Sequence, residues 1–132
     1  MNTIIEGLFQ SIGNQILDMV GDDVPKVLAY AEAEDGVISV SLFFIRQNQE
    51  IPVFNFGGKE LSDLFYSLRE EWGKQDAKVM WSGSAYFMNN GKPVLEVVYP
   101  EKFNKKISEN ARRSAIVEKY FGSPRVDYSR AG

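Results

Sequence analysis

Val27-Leu28-Ala29-Tyr30-Ala31-Glu32-Ala33-Glu34-Asp35-Gly36-Val37-Ile38-Ser39-Val40-Ser41-Leu42-Phe43-Phe44 is the stretch that decides the fold. Leu28 and Tyr30 alternate with Val27, Ala29, Ala31 and Ala33 before Asp35-Gly36, and Ile38, Val40, Leu42 and Phe44 alternate after it. A side-chain period of two belongs to an extended strand. Asp-Gly supplies the positive-φ residues of a two-residue turn. The stretch therefore predicts an antiparallel hairpin.

Toward the N-terminus the period changes. Ile5, Leu8, Phe9, Ile12, Ile16, Met19 and Val20 recur every three or four residues and line one face of a helix. Gly13 weakens that helix, and Gly21-Asp22-Asp23 with Pro25 stops it. Toward the C-terminus, polar residues 47–50 lead to a third strand over Pro52 to Phe56, where proline implies an edge or a strand start. Gly57-Gly58 breaks it. Leu61, Leu64, Phe65, Leu68 and Trp72 then predict a second amphipathic helix through Lys74. Val79 to Met88 and Pro93 to Tyr99 read as a second hairpin around Asn89-Asn90-Gly91. Ile107, Ala111, Ala115 and Ile116 predict a last helix reaching Tyr120, ended by Gly122 and Pro124, with 125–132 as a frayed tail. The order is α-β-β-(β)-α-β-β-α. It implies an α+β fold with a single antiparallel sheet of four to five strands and helices covering one face.

At 132 residues, 44% hydrophobic and 25% charged, the chain has the composition of one folded domain rather than a disordered tail. No apolar run reaches the length of a membrane span, and no signal-peptide pattern opens the chain, so a cytoplasmic location is expected. The absence of cysteine and histidine excludes disulfides, thiolate nucleophiles, sulfur-ligated zinc and imidazole-dependent hydrolysis. The formal charge of −3 is unevenly spread. Residues 1–36 hold seven acids against Lys26 alone, whereas 101–132 hold eight bases against four acids. An acidic head and a basic tail suggest a charged partner, unless the fold brings the two together.

Several groups could carry chemistry. Asp22-Asp23 and Glu70-Glu71 are adjacent acids, but neighbours on a helix diverge by about 100°, and a hard metal needs several converging oxygens. Gly57-Gly58-Lys59 precedes a helix without the spacing of a phosphate-binding loop, so a simple turn is expected. Lys102, Lys105, Lys106, Arg112 and Arg113 lie near Phe103, but Glu101, Glu109 and Glu118 interrupt them, which argues against direct nucleic-acid binding. Trp72 and Trp81 would suit binding anchors, but their apolar registers point to core packing, for Trp72 in particular. What remains is an acidic surface of Asp22, Asp23, Glu32, Glu34 and Asp35 with Tyr30 close by, the complement of a basic site. No catalytic residue, metal ligand or cofactor is assigned, and an enzyme is not expected.

Three stretches carry a family likeness: Phe65 to Trp72, the strand Trp81-Ser82-Gly83-Ser84-Ala85-Tyr86-Phe87, and the helix end Glu118 to Gly122 before Pro124. In these, and more loosely from the first helix to Lys119-Tyr120-Phe121-Gly122, the chain resembles the YezG-like immunity proteins of bacterial toxin systems. The resemblance implies a small cytosolic protein that binds one cognate toxin domain stoichiometrically and occludes its active site or another surface it needs. Toxins of contact-dependent inhibition are often nucleases, whose basic clefts would suit Asp22, Asp23, Tyr30, Glu32, Glu34 and Asp35. The protein would be a monomer before complex formation. The alternative is a secretion chaperone of the type III kind, a dimer holding an extended effector segment.

Overall fold

The computed structural model describes residues 3–75 and 80–129. Its elements are α1 (Thr3–Val20), β1 (Lys26–Glu34), β2 (Val37–Ile45), β3 (Val53–Phe56), α2 (Gly58–Gly73), β4 (Gly83–Asn89), β5 (Lys92–Val98), a single 3₁₀ turn (Pro100–Lys102) and α3 (Glu109–Phe121). This is the α+β order that the sequence predicts. All five strands form one antiparallel sheet in the order β3-β2-β1-β4-β5. The predicted start of the fourth strand at Val79 lies outside the described residues, and β4 itself begins at Gly83.

Both hairpins close as the turn chemistry requires. Asp35 and Gly36 have φ of 53° and 80°, and Asn90 and Gly91 have 52° and 80°, the left-handed pair of a type I′ turn. These turns fix the register, so that Ala29 faces Leu42 on one side of β1 and Tyr86 on the other. A one-residue slip would turn every buried side chain to the opposite face.

The helices do not share one face, contrary to the sequence-based expectation. Alternate strand residues Val27, Ala29, Ala31, Val40, Leu42, Phe44, Tyr86 and Met88 pack with Ile12 and Ile16 of α1 and Leu61, Phe65 and Leu68 of α2. The intervening residues Leu28, Tyr30, Phe43, Phe54, Ala85 and Phe87 pack with Val117 of α3. The uninterrupted run Val27 to Ala31 explains this, because a strand apolar at both parities must be covered on both sides.

Local details follow from packing. A Cβ built on Gly13 would lie 2.5 Å from the Tyr86 hydroxyl, so the residue that weakens α1 is the one that lets Tyr86 run beneath it. Burial pushes the Tyr86 hydroxyl up to about 12, which keeps it protonated. Trp81 is wholly buried, with its ring edge-on to Phe65 at 6.4 Å, whereas Trp72 is half-buried and donates its indole N–H to the Tyr99 hydroxyl at 2.9 Å. Helix α3 begins later than predicted. Ser108 caps it by accepting from the Ala111 N–H at 3.1 Å, and Ile107 is left exposed outside it.

Of the predicted frayed tail at 125–132, residues 130–132 lie outside the described residues, and Asp127 and Tyr128 are bound to the sheet. Phe54 donates its N–H to the Asp127 carbonyl at 3.0 Å, and Asp127 donates to the Pro52 carbonyl at 2.9 Å. The Tyr128 ring lies 5.1 Å from Phe54. The chain thus closes the outer edge of β3 with its own parallel bridge, Val53 to Asp127.

Candidate partner-binding surface

The acidic residues singled out from the sequence separate into three environments. Glu32 lies on the α3 face of β1, where its carboxylate accepts from Arg112 twice, Nε at 2.7 Å and Nη2 at 2.9 Å. The Tyr30 hydroxyl donates to the same carboxylate at 2.6 Å. Only 13% of the Arg112 side chain and 6% of that of Glu32 are exposed, so this pair is nearly dry. Burial, then the hydrogen bond to Glu32, raises the pKa of Tyr30 strongly. The bonds it donates to Glu32 hold Arg112 firmly protonated.

Arg112 reaches further. Its Nη1 donates to the carbonyls of Asn104 at 3.0 Å and Ile107 at 2.7 Å, and the guanidinium lies 4.5 Å from the Phe103 ring centroid. A planar guanidinium with five donors is suited to such a junction, where a point-charge lysine is not. The group fastens α3 and the loop before it to the sheet. Tyr30 and Glu32 therefore belong to the fold, and their expected place on an exposed acidic surface is corrected.

Asp22 and Asp23 follow α1, and Asp23 pairs with Arg46 at 3.0 Å in an exposed bridge. Glu34 and Asp35 sit exposed at the β1–β2 turn. Nine-residue β1 stands between these two pairs. At about 3.3 Å per residue its ends are roughly 26 Å apart, so the four exposed acids do not form one cluster. Sequence spacing alone could not reveal this, because the hairpin reading fixes the alternation of side chains and not which parity a later helix covers.

The head and tail charges meet in part, through Glu32 and Arg112. Elsewhere Lys119 bridges to Glu96 at 2.7 Å, and Tyr120 donates to the same carboxylate at 2.8 Å. Of the seven head acids, Glu6, Asp18, Asp22, Glu34 and Asp35 make no ion pair with the described residues. Beside the Glu34-Asp35 tip, Val37 is 65% exposed. The described residues contain no group of three or more acidic side chains placed to hold a metal ion, and no helix long and apolar enough to cross a membrane.

Comparison with protein-family models returned no match, and neither did comparison with curated proteins.

Proposed function

We propose that this protein is a stoichiometric binder of a cationic protein domain, acting as an immunity partner that neutralises a cognate toxin domain, a nuclease in the first instance. The observation that carries the reading is the unmatched acidity of residues 1–36. Five of their carboxylates stay without an ion pair among the described residues, on α1, the segment after it and the β1–β2 turn, in a fold braced by the Glu32–Arg112 junction. Fixed surface charge of one sign steers an oppositely charged partner and sets its register. The sequence likeness to YezG-like immunity proteins supports the same reading. Occlusion needs no chemistry from this chain, only a surface that holds its shape.

The test is co-expression with a candidate toxin domain taken from a neighbouring gene. A one-to-one complex should form and restore growth, and Glu34→Lys with Asp35→Lys should weaken association by about tenfold, or 1.4 kcal/mol. Glu32 is left intact in that variant because it serves the fold. Cells that tolerate the toxin equally well without this protein would overturn the proposal. A stable dimer that captures only unfolded effector segments would transfer the assignment to a secretion chaperone.

A further inference from the structure

The two edges of the sheet end differently. The outer edge of β3 is bridged by the chain's own Asp127, whereas no strand among the described residues pairs with the outer edge of β5. The geometry of β5 follows from its hairpin. Asn89 stands opposite Lys92 across a two-residue turn, so these two form a hydrogen-bonded pair. Alternation along an antiparallel ladder then directs the backbone groups of Val94, Glu96 and Val98 toward β4, and those of Leu95 and Val97 outward. The free edge thus presents the N–H donors of Leu95 and Val97 and the carbonyl acceptors of Pro93, Leu95 and Val97 at strand spacing.

Beside this edge, on the α1 side, runs a groove of about 290 Å³ lined by Phe9, Leu17, Met88 and Pro93, with Gln10 and Asn14 on its rim. The Tyr86 hydroxyl reaches it and makes no hydrogen bond to the described residues. Residues 3–20 contain Glu6 and Asp18 and no base. Glu6 precedes Gln10 by one helical turn and so extends the groove's side of α1, whereas Asp18 lies about 120° round the helix from Glu6 and faces away from it. Lys92 shares the parity of Glu96 and so faces the α3 side of the sheet, away from the groove.

The geometry points to the β5 edge and the adjoining groove as the docking site for an extended segment of the partner protein, added as a sixth strand. Leu95 and Val97 supply the main-chain bonds. The groove takes an apolar side chain, and Glu6 selects a basic residue flanking it. Strand addition of this kind draws affinity from the backbone and specificity from alternate side-chain pockets. This inference deepens the proposed partner binding, on which it rests for its biological role, but its test does not use the toxin.

The probe is the heptapeptide Lys-Val-Lys-Val-Lys-Val-Lys, blocked at both ends. Its glutamate counterpart and a version N-methylated at alternate residues serve as controls. At about 1 mM lysine peptide, the Leu95 and Val97 amide signals should shift and their hydrogen exchange should slow, while both controls fail. Val97→Pro removes an outward N–H without touching the ladder to β4. Asn14→Arg, at an exposed helix position, fills the groove. Each should lower peptide affinity by about tenfold or more. Asn14→Arg keeps the test decisive if Val97→Pro does not fold. Shifts confined to another surface, no binding by the lysine peptide, or undiminished binding by Asn14→Arg would each overturn the inference. If the peptide binds as described but no toxin complex forms, the strand site stands and the toxin reading falls. A toxin complex in which Leu95 and Val97 still exchange rapidly gives the reverse result.

Discussion

The face of the sheet under α1 and α2 and the face under α3 are sealed by different means. Under α1 and α2, residues such as Ile12, Ile16, Leu42, Phe65, Leu68 and Trp81 are wholly buried and supply a continuous apolar core. Under α3, the helix itself buries only Val117 completely, with Ile116, Tyr120 and Phe121 half-buried around it. The remainder is held by polar contacts: Glu32 with Arg112 and Tyr30, and Glu96 with Lys119 and Tyr120. The stacking of Tyr120 on Phe87 at 4.6 Å joins the two kinds of contact. A helix with so little apolar surface docks where charged groups on the sheet meet their partners.

The comparison breaks most visibly at Trp81. Trp81→Ala removes the largest wholly buried side chain and should cost about 3–5 kcal/mol, read as a lower urea midpoint. Trp81→Phe should cost less, because it also removes an indole N–H that has no partner among the described residues. A smaller loss for alanine than for phenylalanine would show that this face is not the main apolar core.

On the other face the largest effect should come from charge. Arg112→Met leaves Glu32 as a buried carboxylate without its partner and should cost about 3 kcal/mol. The double variant Arg112→Met with Glu32→Gln should be more stable than Arg112→Met alone, since the penalty lies chiefly in the orphaned charge. Chemical denaturation of the parent, the two single variants Arg112→Met and Glu32→Gln, and the double variant completes the cycle. Equal losses in Arg112→Met and in the double variant would assign the role of Arg112 to Phe103 and the carbonyls of Asn104 and Ile107 rather than to Glu32.

The smallest effect concerns acid. Burial pushes the Glu96 carboxyl up, but hydrogen bonds from Lys119 and Tyr120 outweigh it and hold the group below the ordinary carboxylate value. A depressed folded pKa contributes stability above the unfolded value, and that contribution is lost as the pH falls through the folded one. Lys119→Met should therefore raise the Glu96 titration midpoint and make α3 docking less sensitive to acid. Carboxyl NMR titration reads this directly, and an unmoved midpoint would mean that the exposed Lys119 bridge is ineffective, as many surface pairs are.

Much of the fold was legible in the residues. Asp35-Gly36 and Asn90-Gly91 announced both hairpins, because few residues tolerate positive φ at two successive positions. Pro52 implied an edge or a strand start, and the strand that follows it, β3, proves to be an edge. The two-sided burial of β1 was also written in Val27 to Ala31, an apolar run without alternation, although a hairpin reading that takes one face as the core passes over it. The acidic candidates fared differently. Glu34 and Asp35 are exposed, as turn residues should be, while Glu32, two residues earlier, is buried.

By itself the sequence determined the order of elements, the hairpin turns and the alternation of side chains, because these depend on backbone sterics and on neighbours a few residues apart. It also limited the chemistry, since a chain without histidine or cysteine has no imidazole or thiol to use. Only the tertiary structure decided that α3 crosses to the second face, that Arg112 reaches Glu32 across 80 residues, and that the tail closes one sheet edge. Those outcomes depend on which distant surfaces find one another once burial competes with hydration, and no local pattern encodes that choice.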